Sequence, residues 1–365
     1  MKIAVTASAA LLASTSLASA DLNRTNQSMR ILFEDVGASG NYVELSYGYA
    51  SPEANTSSSI VSNPLQSYNQ AGLGFLHRFN DQLSFAIIYD QPFGAAVSYP
   101  GGTPFFGGNA TFETESFTFV GRYEFGNGFS AHAGLRTLYV DGSIFTSVGA
   151  TGFVDLTGDS DIGFGGLIGV AYEIPDIALR VALTYNSTID VTFDAVETPA
   201  PVPFGTGGAA VNTTFDVEFP DSINLDFQTG IAEDTLLFGG IRHTFWDGFT
   251  LTTTRGNYVG FTSDSTEYVI GFGRQFNENW SGSISYTHRT NGTIPSDTAL
   301  APTTGLDSLT VAGSYENENG LVISGGVTYG VPGDQIVQNP LVPGGQLTFD
   351  DNEVFGVGMR VGFRF

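Results

Sequence analysis

Six tight turns and seven long connections alternate strictly between fourteen extended segments, and this rhythm restricts the possible folds more than any other feature of the sequence. The segments lie at 41–50, 68–79, 82–97, 112–125, 129–141, 161–173, 178–191, 221–231, 235–246, 266–276, 280–290, 306–316, 320–330 and 353–365. In several of them large apolar side chains recur at every second position, as in Val43/Leu45/Tyr47/Tyr49 and Leu179/Val181/Leu183/Tyr185. An extended chain throws alternate side chains to opposite faces, so these segments have one apolar face each. The tight turns are Asn80-Asp81, Gly126-Asn127-Gly128, Pro175-Asp176, Glu233-Asp234, Asn277-Glu278-Asn279 and Asn317-Glu318-Asn319, built largely from residues that suit hairpin turns. The long connections, such as 51–67, 98–111, 192–220 and 331–352, are rich in Gly, Pro, Ser and Thr and are expected to be loops. A soluble sandwich has no reason to gather every long loop at one end, whereas an outer-membrane barrel has short turns on one side and long loops on the other. The predicted fold is therefore all-β: a membrane-spanning antiparallel β-barrel of about fourteen strands.

The final segment shows the pattern most clearly. Phe355, Val357, Met359, Val361, Phe363 and Phe365 share one face, while Val354, Gly356, Gly358, Arg360, Gly362 and Arg364 share the other. The first face suits lipid, and the second, small or charged, suits a lumen. Phe365 at the end of such a strand resembles the signal by which bacterial outer membrane barrels are recognised for insertion, which makes barrel-assembly machinery an expected partner. Glu44, Asp90, Arg136, Arg180, Arg360 and Arg364 are candidate lumen charges, tolerable on spanning strands where they meet water or a countercharge. Glu34, Asp35 and Glu44 are candidate partners for Arg360 and Arg364. Aromatics flanking the turns in FNDQLS, FGNGFS and FNENWS predict an aromatic girdle.

Composition removes other classes. Residues 1–20, with Lys2, an Ala/Leu/Val-rich run and Ala18-Ser19-Ala20, read as a secretory leader. Lys2 is the only lysine, so the remaining 345 residues carry twelve Arg against 37 Asp and Glu, a net charge of −25. Nucleic-acid binding needs a basic footprint and is not expected. The absence of cysteine excludes a disulfide framework and thiolate metal sites, and no apolar run is long enough for a transmembrane helix. The four histidines form no triad motif and no metal spacing, so neither an enzyme nor a resident cofactor is expected.

Two stretches fit a plain porin poorly. Residues 21–39 do not alternate and carry the apolar cluster Met29, Ile31, Leu32 and Phe33, which suits either a mobile leader or a plug touching an apolar substrate. Pro92 sits inside the third segment, where it either ends the strand early or leaves a gap in the wall. The stretches LNRTNQSMRILFED, DQPFGA, EIPDIALRVALTYNS, DSINLDFQTGIAEDTLLFGGIRH and FNENWS resemble the FadL/TodX family of outer-membrane transporters for long-chain fatty acids and other hydrophobic compounds. That resemblance spans nearly the whole chain after the leader. It implies a short N-terminal hatch in the lumen (21–39), a barrel over 40–365, and a kinked third strand at Gln91, Pro92, Phe93 and Gly94. It further implies lateral escape of substrate at the kink and an external ligand groove involving Phe105 and Phe106. One departure is that the hatch is short and lacks the family's Asn-Pro-Ala motif. The expected function is passive transport of a fatty acid or other hydrophobic small molecule across the outer membrane of a Gram-negative bacterium, with outer-membrane lipid and the apolar ligand as partners and no cofactor. A general or ion-selective porin and a non-transporting structural or adhesion barrel are the alternatives.

Overall fold

The computed structural model describes residues 22–58, 61–103, 105–338 and 345–365; the expected leader at 1–20 lies outside them. Fourteen strands form the wall: β1 (Asn41–Glu53), β2 (Tyr68–Arg78), β3 (Leu83–Asp90), β4 (Asn109–Glu124), β5 (Phe129–Val148), β6 (Gly163–Ile174), β7 (Leu179–Asn186), β8 (Ser222–Ala232), β9 (Thr235–Thr244), β10 (Ser265–Gln275), β11 (Trp280–Arg289), β12 (Thr304–Glu316), β13 (Leu321–Gly333) and β14 (Glu353–Arg364). Each pairs antiparallel with its neighbour in sequence. The barrel closes where β14 pairs with β1, in a register that sets Val361 opposite Leu45 and Arg360 opposite Ser46.

Alternation decides which side chains meet which medium. Phe164 and Leu135 are 71% and 65% exposed, far too open for a protein core, and with the outward row of β14 they form the lipid-facing band. Phe79, Phe125, Phe129, Phe276 and Trp280 are exposed beside the tight turns and supply the girdle at that end. The opposite row points inward, where Arg122, Arg136, Arg180, Arg242, Arg289 and Arg360 are all buried.

Two departures from the expected layout bear on function. The third segment is strand only to Asp90; it breaks at 91–93 and resumes at Gly94–Ser98, paired to β4. The long connections at 98–111 and 192–220 are not simple loops. β4 and β5 run beyond the wall and join strands Gly152–Ser160, Ile189–Pro199 and Val211–Phe219 in a sheet that continues outward from one side of the barrel. The hairpin of Thr250–Thr253 and Gly256–Gly260 packs against this sheet, with Leu251 and Val259 placed on its buried cluster.

Candidate ligand cavity and wall opening

The outward sheet encloses an apolar cavity. Its strands present Ala110 and Phe112, then Val140, Gly142 and Ile144, then Leu156 and Gly158, then Phe193 and Ala195, then Phe215, Val217 and Phe219. These are alternate residues of successive strands, so one face of the sheet makes the lining. Phe249, Leu251, Val259 and Phe261 of the hairpin region close a second side, residues 298 and 300–303 a third, and Leu22 with Gly94–Val97 the floor. The hairpin is held by Glu197, which is 1% exposed, accepts hydrogen bonds from Tyr258 Oη (2.9 Å) and Thr253, and lies 3.2 Å from Arg255 Nε. Burial, with Glu197 alongside, pushes the Tyr258 phenol above its ordinary pKa.

Below this cavity lies the strand break. The ladder between β2 and β3 ends at Leu73 opposite Tyr89, so residues 68–72 have no main-chain partner on that side. Gln91 partly covers the gap: its Oε1 accepts from the Ala71 amide at 2.9 Å. A polar space at this point is lined by residues from both faces of the wall, inward Glu44, Gln70, Asp90 and Arg360 and outward Tyr47, Ala71, Leu73 and Met359. The wall is therefore open between β2 and β3. Pro92 accounts for the local irregularity, since it has no amide hydrogen to give a neighbouring strand.

The chain's own N-terminal segment separates the two spaces. Asn23 forms an antiparallel bridge with Phe93, in which Arg24 N donates to Pro92 O (2.8 Å) and Gly94 N to Leu22 O (2.9 Å). The Thr114 hydroxyl takes up both main-chain groups of Phe93, accepting from its amide at 2.9 Å and donating to its carbonyl at 2.7 Å. The Phe93 ring then stacks on Phe219 and meets Trp246 edge-on. An interrupted strand thus keeps its backbone groups satisfied, as burial demands.

The rest of the N-terminal segment crosses the lumen and leaves below it a wide space lined by Phe33, Glu34, Arg122, Arg180 and the Gly126–Gly128 turn. Met29, Ile31 and Leu32 pack on Leu76, Ala86, Val120 and Leu167. Phe33 lies between two guanidinium groups, with Arg122 Cζ at 4.3 Å and Arg180 Cζ at 4.7 Å from its ring centroid. Arg30 pairs with Glu44 (2.6 Å) and Glu34, Arg360 Nε lies 3.7 Å from Glu44, and Arg364 pairs with Glu316 and approaches Glu34 at 4.0 Å. Asp90 accepts from Thr25 Oγ1 (2.9 Å), and Arg136 donates to Gln27 Oε1 (2.6 Å). The lumen charges predicted from sequence are thus chiefly fasteners of residues 24–36.

The predicted ligand residues divide into three places. Gln91, Pro92, Phe93 and Gly94 sit together at the break. Met29 lines the polar space at the break, Ile31, Leu32 and Phe33 sit below it, and none of the four lines the apolar cavity. Phe105 and Phe106 lie in the outward extension, Phe105 stacked on Tyr99 and Phe106 on Phe204, and neither lines the cavity. The lining strands were missed, although VDLTGDS, IDVTFDAVE and TTFDVEF alternate apolar and acidic residues and could have been read as strands. Among the described residues no group of His, Cys, Asp and Glu is arranged to hold a metal.

No family model matches the chain. It is 22% identical over 305 residues to the long-chain fatty acid transport protein of Escherichia coli O6:H1, a match covering 70% of this chain and 65% of that protein. The matched region thus spans just under two thirds of that relative's length. Among solved structures, a Pseudomonas aeruginosa FadL homologue superposes with a TM-score of 0.73 at 13% identity, covering 92% of each chain. The Pseudomonas putida toluene transporter TodX gives 0.66 at 13% identity, covering 96% of this chain and 98% of that one. The CymD monoaromatic hydrocarbon channel gives 0.63 at 14%, covering 89% and 88%. By fold the chain is a FadL/TodX-type barrel, and its sequence likeness to the fatty acid transporter supports the resemblance to that transporter family.

Proposed function

We propose that this chain carries hydrophobic small molecules across the outer membrane by diffusion, without input of energy. Cargo enters the apolar cavity from outside, where burying apolar surface stabilises it by roughly 25 cal/mol per Å². It leaves sideways into the membrane through the break between β2 and β3. The observation that carries this reading is the position of an apolar cavity next to a gap in the barrel wall, with Phe93 and residues 22–25 between them. A porin would instead need an open lumen, and here residues 24–36 cross it, tied to the wall by the Arg30–Glu44 and Arg364–Glu34 ion pairs. The periplasmic end carries the Phe33 clamp, so a lateral exit is also the shorter way out of water for an apolar molecule.

The test is uptake of a radiolabelled apolar compound by outer-membrane vesicles containing the chain or lacking it. Filling the cavity by Ala195→Trp, with folding checked by heat-modifiable mobility, is expected to lower uptake by about tenfold or more, given how poorly packed interiors accept added volume. Equal uptake with and without the chain, or unchanged uptake in the filled variant, would refute the proposal.

A further inference from the structure

We infer that the cavity takes uncharged hydrophobic molecules and discriminates against carboxylates. This rests on the cavity being the cargo site, and it narrows the cargo's chemical class.

Two independent features carry it. The first is the lining. Its 28 residues include no charged side chain, and its only polar side chains are the hydroxyls of Ser143, Thr298 and Thr303. A carboxylate drawn inside would shed its water without meeting a cation, at a cost of several kcal/mol. Neither neighbouring guanidinium group is among the lining residues, although the Arg24 Nε is buried without a hydrogen-bond partner. Arg255 pairs with Glu197. Arg24 stands behind Gly94, so that a Cβ added there would meet its Nε at 2.5 Å, and its Cζ rests 3.7 Å over the Tyr68 ring.

The second feature is the outer face of the same sheet. Residues 94–115, 137–163 and 187–221 hold two, four and six carboxylates and no Lys or Arg; ten of the twelve are exposed, Asp221 is half-buried and Glu197 is buried against the hairpin. Glu113, Asp141, Asp159 and Asp194 stand directly opposite one another across four adjacent strands, all exposed. Opposed like charges on a sheet repel. Their summed field turns anions away from the cavity, while a neutral solute is unaffected. The period of two that makes the inner face apolar makes the outer face acidic, so one strand pattern serves both exclusion and capture.

The experiment uses the whole protein in lipid nanodiscs with Trp280→Phe, which leaves Trp246 as the sole tryptophan. Trp246 meets Phe249 and Phe261, both cavity residues, with ring centroids at 5.1 and 5.5 Å. Bromine quenching of Trp246 by ω-bromodecanol and by ω-bromodecanoate, corrected with empty nanodiscs, reads occupancy. Near about pH 8, where the carboxyl group is ionised, the alcohol is expected to quench at a free concentration roughly tenfold or more below that of the carboxylate, because the ionised head is desolvated without a partner. The difference is expected to narrow toward about pH 5, where the carboxyl group begins to protonate. Filling the cavity without adding a tryptophan, by Ala195→Phe in the same background, is expected to abolish quenching by the alcohol; persistence would place the signal outside the cavity and overturn the inference. Carboxylate affinity equal to or above that of the alcohol at the higher pH would also overturn it, and loss of that affinity in Arg24→Gln would identify Arg24 as the head-group site. Absence of quenching by either molecule would instead refute the cargo site itself.

Discussion

At the residue scale, the strand break is made by two side chains with opposite limitations. Pro92 cannot donate to a ladder, and Thr114 can both donate and accept through one hydroxyl. Thr114 is fully buried and closes both main-chain groups of Phe93. Thr114→Val keeps the shape and removes both bonds, leaving a buried amide and a buried carbonyl without their partner at a cost of about 1–3 kcal/mol. The urea midpoint of the folded barrel is expected to fall accordingly; an unchanged midpoint would show that the hydroxyl is not what satisfies the break. Pro92 was legible as an irregularity from sequence because its chemistry is local. Thr114 was not, because nothing in FETES signals a partner 21 residues away.

At the element scale, residues 22–25 act as a strand fragment paired to the break. Asn23 and Phe93 form a non-hydrogen-bonded antiparallel pair, because the bonds run from Arg24 N to Pro92 O and from Gly94 N to Leu22 O. Such pairs bring Cα atoms to about 4.5 Å, within the range of a disulfide. The chain has no cysteine, so Asn23→Cys with Phe93→Cys gives a unique cross-link. If cargo passes when this fragment lifts away, uptake is expected to stop in the oxidised form and return on reduction. Uptake indifferent to oxidation would place the route elsewhere. The wall strands themselves were legible because lipid on one side and lumen on the other force a period of two over ten residues or so. The outward sheet obeys the same period, but its strands lie between Gly- and Pro-rich stretches, and small inward residues such as Gly158 and Ala195 weaken the apolar signal. Which of the apolar residues line the cavity was not legible at all, since Leu22, Phe219 and Phe249 meet only through the closure of the fold.

At the scale of the whole molecule, charge is sorted by position. Guanidinium groups are concentrated in the lumen, where they tie down residues 24–36, and carboxylates dominate the outer sheet. Packing around Ile31 and Leu32 blocks the lumen above a wide space at the tight-turn end, and on the other side of that block an apolar cavity lies above a breach in the wall. The proposed route, entry from outside and exit to the side, follows this arrangement. The most direct test is photolabelling during transport with an uncharged alkyl diazirine, followed by mass-spectrometric mapping of the modified residues. Label is expected on the cavity lining and on Leu73, Tyr89 and Gln91 at the breach; label on Phe33, Glu34 and the Gly126–Gly128 turn at the tight-turn end would contradict lateral release.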